Sequence, residues 1–380
     1  MSVLTIHHPE IVETNAGARL QATFEVDGKT ETLWYEVESK YQEYLTVERT
    51  DAFVVGLFLL AFEKGYDIRV VGSISERLYY TLNMYLLPLT AEVRNFKPIK
   101  ILCDNIESEP LPTAGGVATG LSCGVDSFST IASHLSEDCP DDYKITHFTF
   151  YNVGSNGMLG GEKARDLFNK RLEIVQSCAE EIGKELVTID SNLSEVLQMN
   201  FYETHSYRNI SATLVLQKLF GVYYYSSAYA LKYFELKPKS CGHYDIYNMN
   251  MLSTGTTELF STNPYETRVD KSRIISEYEP AARHLNVCTV SGNNCGGCEK
   301  CVRTLLTLEI QGKFKEFSPV FNLDNYYKRR DKYIARVLSY KGTDDYLKEI
   351  YDEMVSMNFK IPTYSRLAAN YLRVRKLVWR

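Results

Sequence analysis

Gly120-Leu121-Ser122-Cys123-Gly124-Val125-Asp126-Ser127-Phe128 is the stretch around which the chain is organised. Ala114-Gly115-Gly116-Val117-Ala118-Thr119 leads into it, and Ser129-Thr130-Ile131-Ala132-Ser133-His134-Leu135 reads as a helix leaving it. The sequence therefore predicts a short strand, a small hydroxyl-rich turn and a helix N-terminus. Exposed backbone N–H groups and the helix dipole make such a turn an anion site. Ser122 and Ser127 add hydroxyl donors. Asp126 adds a carboxylate able to hold a magnesium ion or to orient the loop. The pattern Ser-x-Gly-x-Asp-Ser lacks the lysine of the Gly-x-x-x-x-Gly-Lys-Ser/Thr phosphate loop. An ordinary strand-to-helix turn with a serine N-cap is the competing reading.

Outward from this loop, strands and helices alternate. Val117–Ser122 is read as a first strand, then a helix over 127–136. His147–Asn152 is a second strand, ending in Val153-Gly154-Ser155-Asn156-Gly157. A helix over 162–182 follows, then a strand at Glu185–Asp190, helices near 193–200 and 208–220, and an apolar strand at Gly221–Ser227. Such alternation with short connections predicts a Rossmann-like, doubly wound parallel sheet of α/β class. Ligands in that architecture sit at the C-terminal strand ends. The 122–127 and 152–157 loops are therefore expected to converge. Tyr151 and Asn152 become candidates for contact with an adenine or ribose.

Residues 1–110 read as a separate small α+β domain. Leu20–Val26 and Glu31–Val37 alternate apolar and polar residues about Asp27-Gly28-Lys29-Thr30, a hairpin signal. An apolar helix is predicted over 52–63. Ser73-Ile74-Ser75-Glu76 reads as a capping box opening a helix that Pro88 stops. Glu109-Pro110-Leu111-Pro112 reads as a linker, leaving a nucleotide-binding domain over 111–315 and a helical extension over 316–380. Docking or scaffolding is the expectation for the N-terminal part.

Composition narrows the class. The 380 residues are 44% hydrophobic and 24% charged, as in a soluble globular protein. A net charge of −6 disfavours broad nucleic-acid binding, which wants a basic footprint. Two basic stretches interleaved with aromatics, Tyr326–Lys332 and Tyr371–Lys376, suit a solvated helix face or a partner interface, with RNA contact as the alternative. The N-terminus lacks the features of a secretory signal, and the longest apolar run, 52–62, is too short to span a bilayer. Nine cysteines, an odd number, do not form an evident secreted disulfide framework. A cytosolic protein with no membrane association is expected.

Four of those cysteines, Cys288, Cys295, Cys298 and Cys301, fall within one short stretch, with Gly296 and Gly297 allowing a tight turn between them. Overlapping Cys-x-x-Cys spacings suit tetrahedral zinc, and a closed four-thiolate shell makes the ion structural. An iron–sulfur cluster or unligated core cysteines are the competing readings.

The loop resembles the Ser-Gly-Gly-x-Asp-Ser signature of the PP-loop ATP pyrophosphatase superfamily, with Cys123 standing where a glycine is usual. A small residue suits that position if its φ is negative. The loop is followed about 160 residues later by Cys-x₆-Cys-x₂-Cys-x₂-Cys and Arg303. Together the two motifs resemble the 7-cyano-7-deazaguanine synthase family. Arg208-Asn209, and Asp270-Lys271 after Asn263-Pro264-Tyr265, are similar to further family motifs. The resemblance covers about residues 116–310 and implies a PP-loop (HUP-like) fold. It also implies ATP at Ser122, Cys123, Gly124, Val125, Asp126 and Ser127, with Mg2+, and structural zinc on the four cysteines. The implied reaction is adenylation of 7-carboxy-7-deazaguanine with release of pyrophosphate, then amide formation with an amine. Asp126, Lys271 and Arg208 are the candidate catalytic residues. The added length resembles synthase-like proteins of bacterial anti-phage defence operons, which implies a partner protein's amine as acceptor. Alternatives are a free-base synthase using ammonia, a tRNA-modifying PP-loop enzyme and a catalytically silent nucleotide-binding module. A homodimer is consistent with the family.

Overall fold

The computed structural model describes residues 2–288 and 290–378. The chain divides into two compact units. One comprises Met1–Leu121 with His134–Pro264, the other Ser122–Ser133 with Tyr265–Arg380.

The first unit is built on an eleven-stranded sheet. Its strands are β1 (Val3–Ile6), β2 (Glu10–Glu13), β3 (Ala18–Val26), β4 (Lys29–Val37), β5 (Asp67–Ser75), β6 (Ile101–Glu107), β7 (Gly116–Gly120), β8 (His147–Asn152), β9 (Glu185–Ser191), β10 (Phe220–Ser226) and β11 (Glu258–Thr262). The order is β11-β10-β7-β8-β9-β4-β3-β1-β5-β6, with β2 also on β3. From β11 to β9 every pairing is parallel. Read from β9 to β11, these five strands follow the order 3-2-1-4-5, whose reversal point lies between β7 and β10. The α/β expectation is met in a sheet that is mixed but mostly parallel.

The boundary expected at residue 110 does not divide the units. β4 joins β9 antiparallel at Tyr35↔Ser191 and Glu36↔Asp190. Side chains lengthen this short ladder. Ser191 Oγ donates to Trp34 O (2.7 Å), Trp34 N to Asn192 Oδ1 (2.9 Å), and Asn192 Nδ2 to Thr32 O (2.7 Å). The helix Asp51–Lys64 is buried almost all round. A helix apolar on every face needs cover on every face. One neighbour is the helix Phe201–Leu214, where Phe58 stacks on Tyr207 at 5.5 Å. Gly56 permits this approach, because a Cβ there would lie 2.7 Å from Ser211 Oγ. The N-terminal residues thus share one core with the parallel strands.

Local expectations fare unevenly. Asp27 and Gly28 have φ of 50° and 77°, the two positive values that a two-residue type I′ hairpin requires. Ser75 sits at the start of the helix Glu76–Thr81 but makes no capping bond. Its hydroxyl and amide donate instead to buried Asp51 at 2.5 and 2.8 Å. Pro88 does not stop the helix either. A π-helical turn, Leu82–Leu86, lets the chain continue into Leu87–Arg94, with the proline in the first turn, where no intrahelical N–H is needed.

The second unit is helical: Val125–His134, Arg268–Ser276, Glu279–His284, Glu299–Ile310, Phe314–Phe317, Leu323–Tyr340, Asp345–Ser356 and Thr363–Val378. Of the extension predicted over 316–380, the described residues to 378 are largely helical and fall in this unit. No described helix is long and apolar enough to cross a membrane.

Candidate functional site

Both chemical motifs fall in the second unit. The helix Val125–His134 is anchored by buried Val125, Phe128 and Ile131, with Phe128 against Tyr278. Its N-terminal loop is braced by its own hydroxyls. Ser122 Oγ and Ser127 Oγ are 3.2 Å apart, and Ser127 Oγ donates to Gly124 O at 3.1 Å. Gly124 N donates to Ser122 Oγ at 3.4 Å. Cys123 is fully buried with φ of 55°. The negative φ expected there is not found. The position takes the left-handed conformation that glycine adopts freely and that costs other residues about 1–2 kcal/mol.

Asp126 is held by two cations. Arg268 Nη2 lies 2.9 Å from Oδ2 and Lys271 Nζ 3.6 Å from Oδ1. The Lys271 side chain is 2% exposed and that of Arg268 14%. Both cations come from the helix Arg268–Ser276, three residues apart and so on one face. A capping box fixes where that helix starts: Asp270 N donates to Thr267 Oγ1 (3.1 Å), and Thr267 N donates to Asp270 Oδ2 (3.0 Å). Asp270, quoted for its family likeness, therefore sets the register that aims Lys271. Arg268 N donates to Glu349 Oε2 at 3.0 Å. Arg268 and Arg303 lie over the Tyr346 ring at 6.0 and 4.2 Å. Burial lowers the Arg268 pKa, yet Asp126 and Tyr346 more than offset this and leave it raised. The N-terminus of the Val125–His134 helix, with Lys271 and Arg268 beside it, favours an anionic guest. With two cations already on Asp126, a divalent cation bound directly by its carboxylate does not fit this donor set.

The four cysteines converge. Their sulfurs lie within 4.8 Å of one another, with Cys288 and Cys298 at 4.0 Å. Tetrahedral zinc with Zn–S bonds of about 2.3 Å spaces its sulfurs by about 3.8 Å. The cluster could hold a metal ion such as zinc. Backbone amides face two of the sulfurs, Cys288 and Cys295. Val290 N and Ser291 N each donate to Cys288 Sγ at 3.4 Å, and Cys298 N to Cys295 Sγ at 3.3 Å. Burial alone would raise the Cys288 thiol, but hydrogen bonds from Ser291 and from nearby amides bring it down to about 6. Burial holds Cys301 above the ordinary thiol range, and Cys298 adds to this. Cys301 lies in the first turn of the helix Glu299–Ile310, whose dipole favours a thiolate.

Gly296 has φ of 70°, and a Cβ there would lie 1.9 Å from Asn322 O. Gly296→Ala should therefore lower stability by about 2 kcal/mol or more, seen as a fall in Tm, whereas Gly292→Ala, where a Cβ meets open space, should not. The cysteine segment also touches the loop: Asn286 N donates to Cys123 O at 2.7 Å, and Asn286 Nδ2 donates to Gly292 O at 2.5 Å.

The remaining sequence candidates belong to the first unit. Arg208 is fully buried. Its Nε donates to Thr204 Oγ1 (2.7 Å), Nη1 to Ser194 Oγ (2.9 Å) and Val153 O (3.2 Å), and Nη2 to Met199 O (2.8 Å) and Met158 O (3.4 Å). Burial brings its pKa down to about 10. These contacts tie the Arg208 guanidinium to the carbonyls of the loop after β8. Gly154 is part of that fit, since a Cβ would lie 2.9 Å from Arg208 Nη1. Asn152 Nδ2 donates to Asp190 Oδ1 at 2.8 Å, and Tyr151 is buried with its ring stacked on Tyr223. Arg268 was missed from the sequence. Its signal was a second cation one turn before Lys271, just after a Thr N-cap.

Comparison with protein-family models, with curated proteins and with solved structures finds no match.

Proposed function

We propose that the chain is an ATP-dependent, AMP-forming ligase. It adenylates a carboxylate of the 7-carboxy-7-deazaguanine type and transfers the acyl group to an amine. The observation that carries this reading is the grip of Arg268 and Lys271 on Asp126 at the N-terminus of the Val125–His134 helix. The PP-loop resemblance of residues 122–127 supplies the substrate, and the order 3-2-1-4-5 of the parallel strands is consistent with it.

The chemistry follows from the residues. A carboxylate is a poor acyl donor, because its leaving group would be oxide. Attack of its oxygen on the α-phosphorus of ATP expels pyrophosphate and leaves AMP as the leaving group on the acyl carbon. An amine then adds to that carbon, AMP departs and the amine proton passes to solvent. The loop amides of 123–127 and the hydroxyls of Ser122 and Ser127 would receive the departing phosphates. Lys271 and Arg268 would stabilise charge developing there. Asp126 orients the two cations and sets the loop. Magnesium would travel on the nucleotide phosphates. Zinc on the four cysteines would fix the segment that abuts Cys123 through Asn286.

Acid-dependent exchange of labelled pyrophosphate into ATP tests the first half-reaction. Exchange is expected with 7-carboxy-7-deazaguanine present; exchange equal with and without the acid would sink the reading. The resemblance favours an amine of a partner protein as acceptor. A mass spectrum of the co-expressed partner should gain a deazaguanine mass, and an unmodified partner would rule this acceptor out. Cys123→Gly should leave AMP formation within about twofold of the parent, because relief of the positive-φ strain offsets the lost thiol.

A further inference from the structure

Arg208 and Arg303 are both buried, at 0% and 8% exposure. Arg208 donates five hydrogen bonds to protein oxygens. Arg303 differs. Among the described residues its guanidinium donates no hydrogen bond and makes no ion pair. Its Nε is sealed from solvent without an acceptor, whereas Nη1 and Nη2 are not sealed. The guanidinium carbon lies 4.2 Å from the centre of the Tyr346 ring. A ring face attracts the charge but leaves the N–H groups without strong acceptors. Arginines are seldom buried unless paired, because removing the charge from water is costly. An arginine buried in this way points to a partner that the protein itself does not supply.

The acids around Arg303 are engaged elsewhere. Tyr333 marks them: burial pushes its phenol up to about 12, Arg303 pulls against that rise, and Glu299 and Asp344 add to it. Glu299 pairs with Arg336 at 3.1 Å, and Asp344 accepts from the Leu347 amide at 3.0 Å. Glu349 accepts from the Arg268 amide at 3.0 Å. Arg268 connects this place to the loop. Its Nη2 lies 2.9 Å from Asp126, and its guanidinium carbon lies 6.0 Å from the centre of the Tyr346 ring that Arg303 also approaches. Its Nε, like that of Arg303, is buried without an acceptor. An anion at Arg303 would therefore adjoin one held by the loop amides. A chain of linked phosphates has that form. Water could accept from these groups but would leave the charge of Arg303 uncompensated.

We infer that Arg303, through Nη1 and Nη2 and with Arg268 beside it, binds a phosphoryl oxyanion, supplied either by the polyphosphate of a nucleotide or by free pyrophosphate. The planar guanidinium fork suits two phosphoryl oxygens at once. The inference extends the reading above, with which it shares Arg268, to a residue that reading does not use.

The test is calorimetric titration of the full, zinc-loaded chain with inorganic pyrophosphate and, separately, with ATP. Saturable pyrophosphate binding is expected, and Arg303→Met should weaken it at least about tenfold. Arg303→Lys should retain part of the affinity, since it keeps the charge and loses the fork. The Tm of ligand-free Arg303→Met should be no lower than that of the parent, because no protein partner is stranded. An ATP affinity that falls by the same factor assigns the oxyanion to the nucleotide; a fall confined to pyrophosphate assigns it to the free ion. Equal pyrophosphate affinity of parent and Arg303→Met would overturn the inference, as would no binding by the parent at about 1 mM. So would a lowered Tm of the ligand-free variant, which marks a structural arginine, or weakened binding of 7-carboxy-7-deazaguanine alone, which assigns the place to a carboxylate. Weakened pyrophosphate binding in a chain that forms no AMP keeps this inference and sinks the ligase; acid-dependent AMP formation by Arg303→Met with undiminished pyrophosphate affinity does the reverse.

Discussion

Asp126→Ala is expected to abolish acid-dependent AMP release and to lower the unfolding free energy by about 3 kcal/mol. The carboxylate is 2.9 Å from Arg268 and 3.6 Å from Lys271, and neither cation has much water to turn to. Removing the acid leaves two neighbouring positive charges with poor solvation and mutual repulsion. The loop also loses the group that ties it to the Arg268–Ser276 helix. Denaturant titration reads the first effect and a coupled AMP assay the second. Adding Arg268→Met to the Ala variant separates them. It removes one of the orphaned cations, so stability should partly return while AMP formation stays absent. Unchanged AMP release from the single variant would refute the role given to the loop.

Removing the metal should have an effect of similar size on the fold. One zinc per chain is expected by elemental analysis. A chelator, or Cys301→Ser, should lower the Tm by more than about 10 °C, because several kcal/mol of ligation energy is also folding energy. AMP formation should fall with it, since Asn286 joins the cysteine segment to the carbonyl of Cys123. Cys139→Ser, away from the cluster, serves as the control and should change neither. Metal-free protein with an unchanged Tm in chelator would contradict the structural assignment.

What the sequence disclosed was local. Asp27-Gly28 announced its hairpin because only a few residue types accept two positive φ values in succession. The four cysteines announced a cluster that could hold a metal ion, because ligand spacing is short-range. The hydroxyls and carboxylate at 122–127 were legible for the same reason. What stayed hidden depended on distant partners. Nothing near Trp34 says that Ser191 and Asn192 will complete its ladder, so residues 1–110 looked like a domain of their own. The all-round apolarity of 51–64 did signal burial, but not the Phe201–Leu214 helix as one of the covers. Arg208 was singled out by the family resemblance, and its burial against the carbonyls of Val153, Met158 and Met199 depends on packing that its sequence neighbourhood does not disclose. Arg268 is a surface-type residue in composition, and only packing brings it to Asp126. Cys123 is the reverse case: its positive φ belongs to the loop's backbone, which the residue's identity masks.

The measurement that bears most directly on the central claim is product analysis of ATP turnover with and without 7-carboxy-7-deazaguanine. The account predicts AMP and pyrophosphate in equal amounts, formed only when the acid is present and lost in Asp126→Ala. ADP and inorganic phosphate as products, or no acid-dependent turnover by zinc-loaded, folded protein, would contradict it.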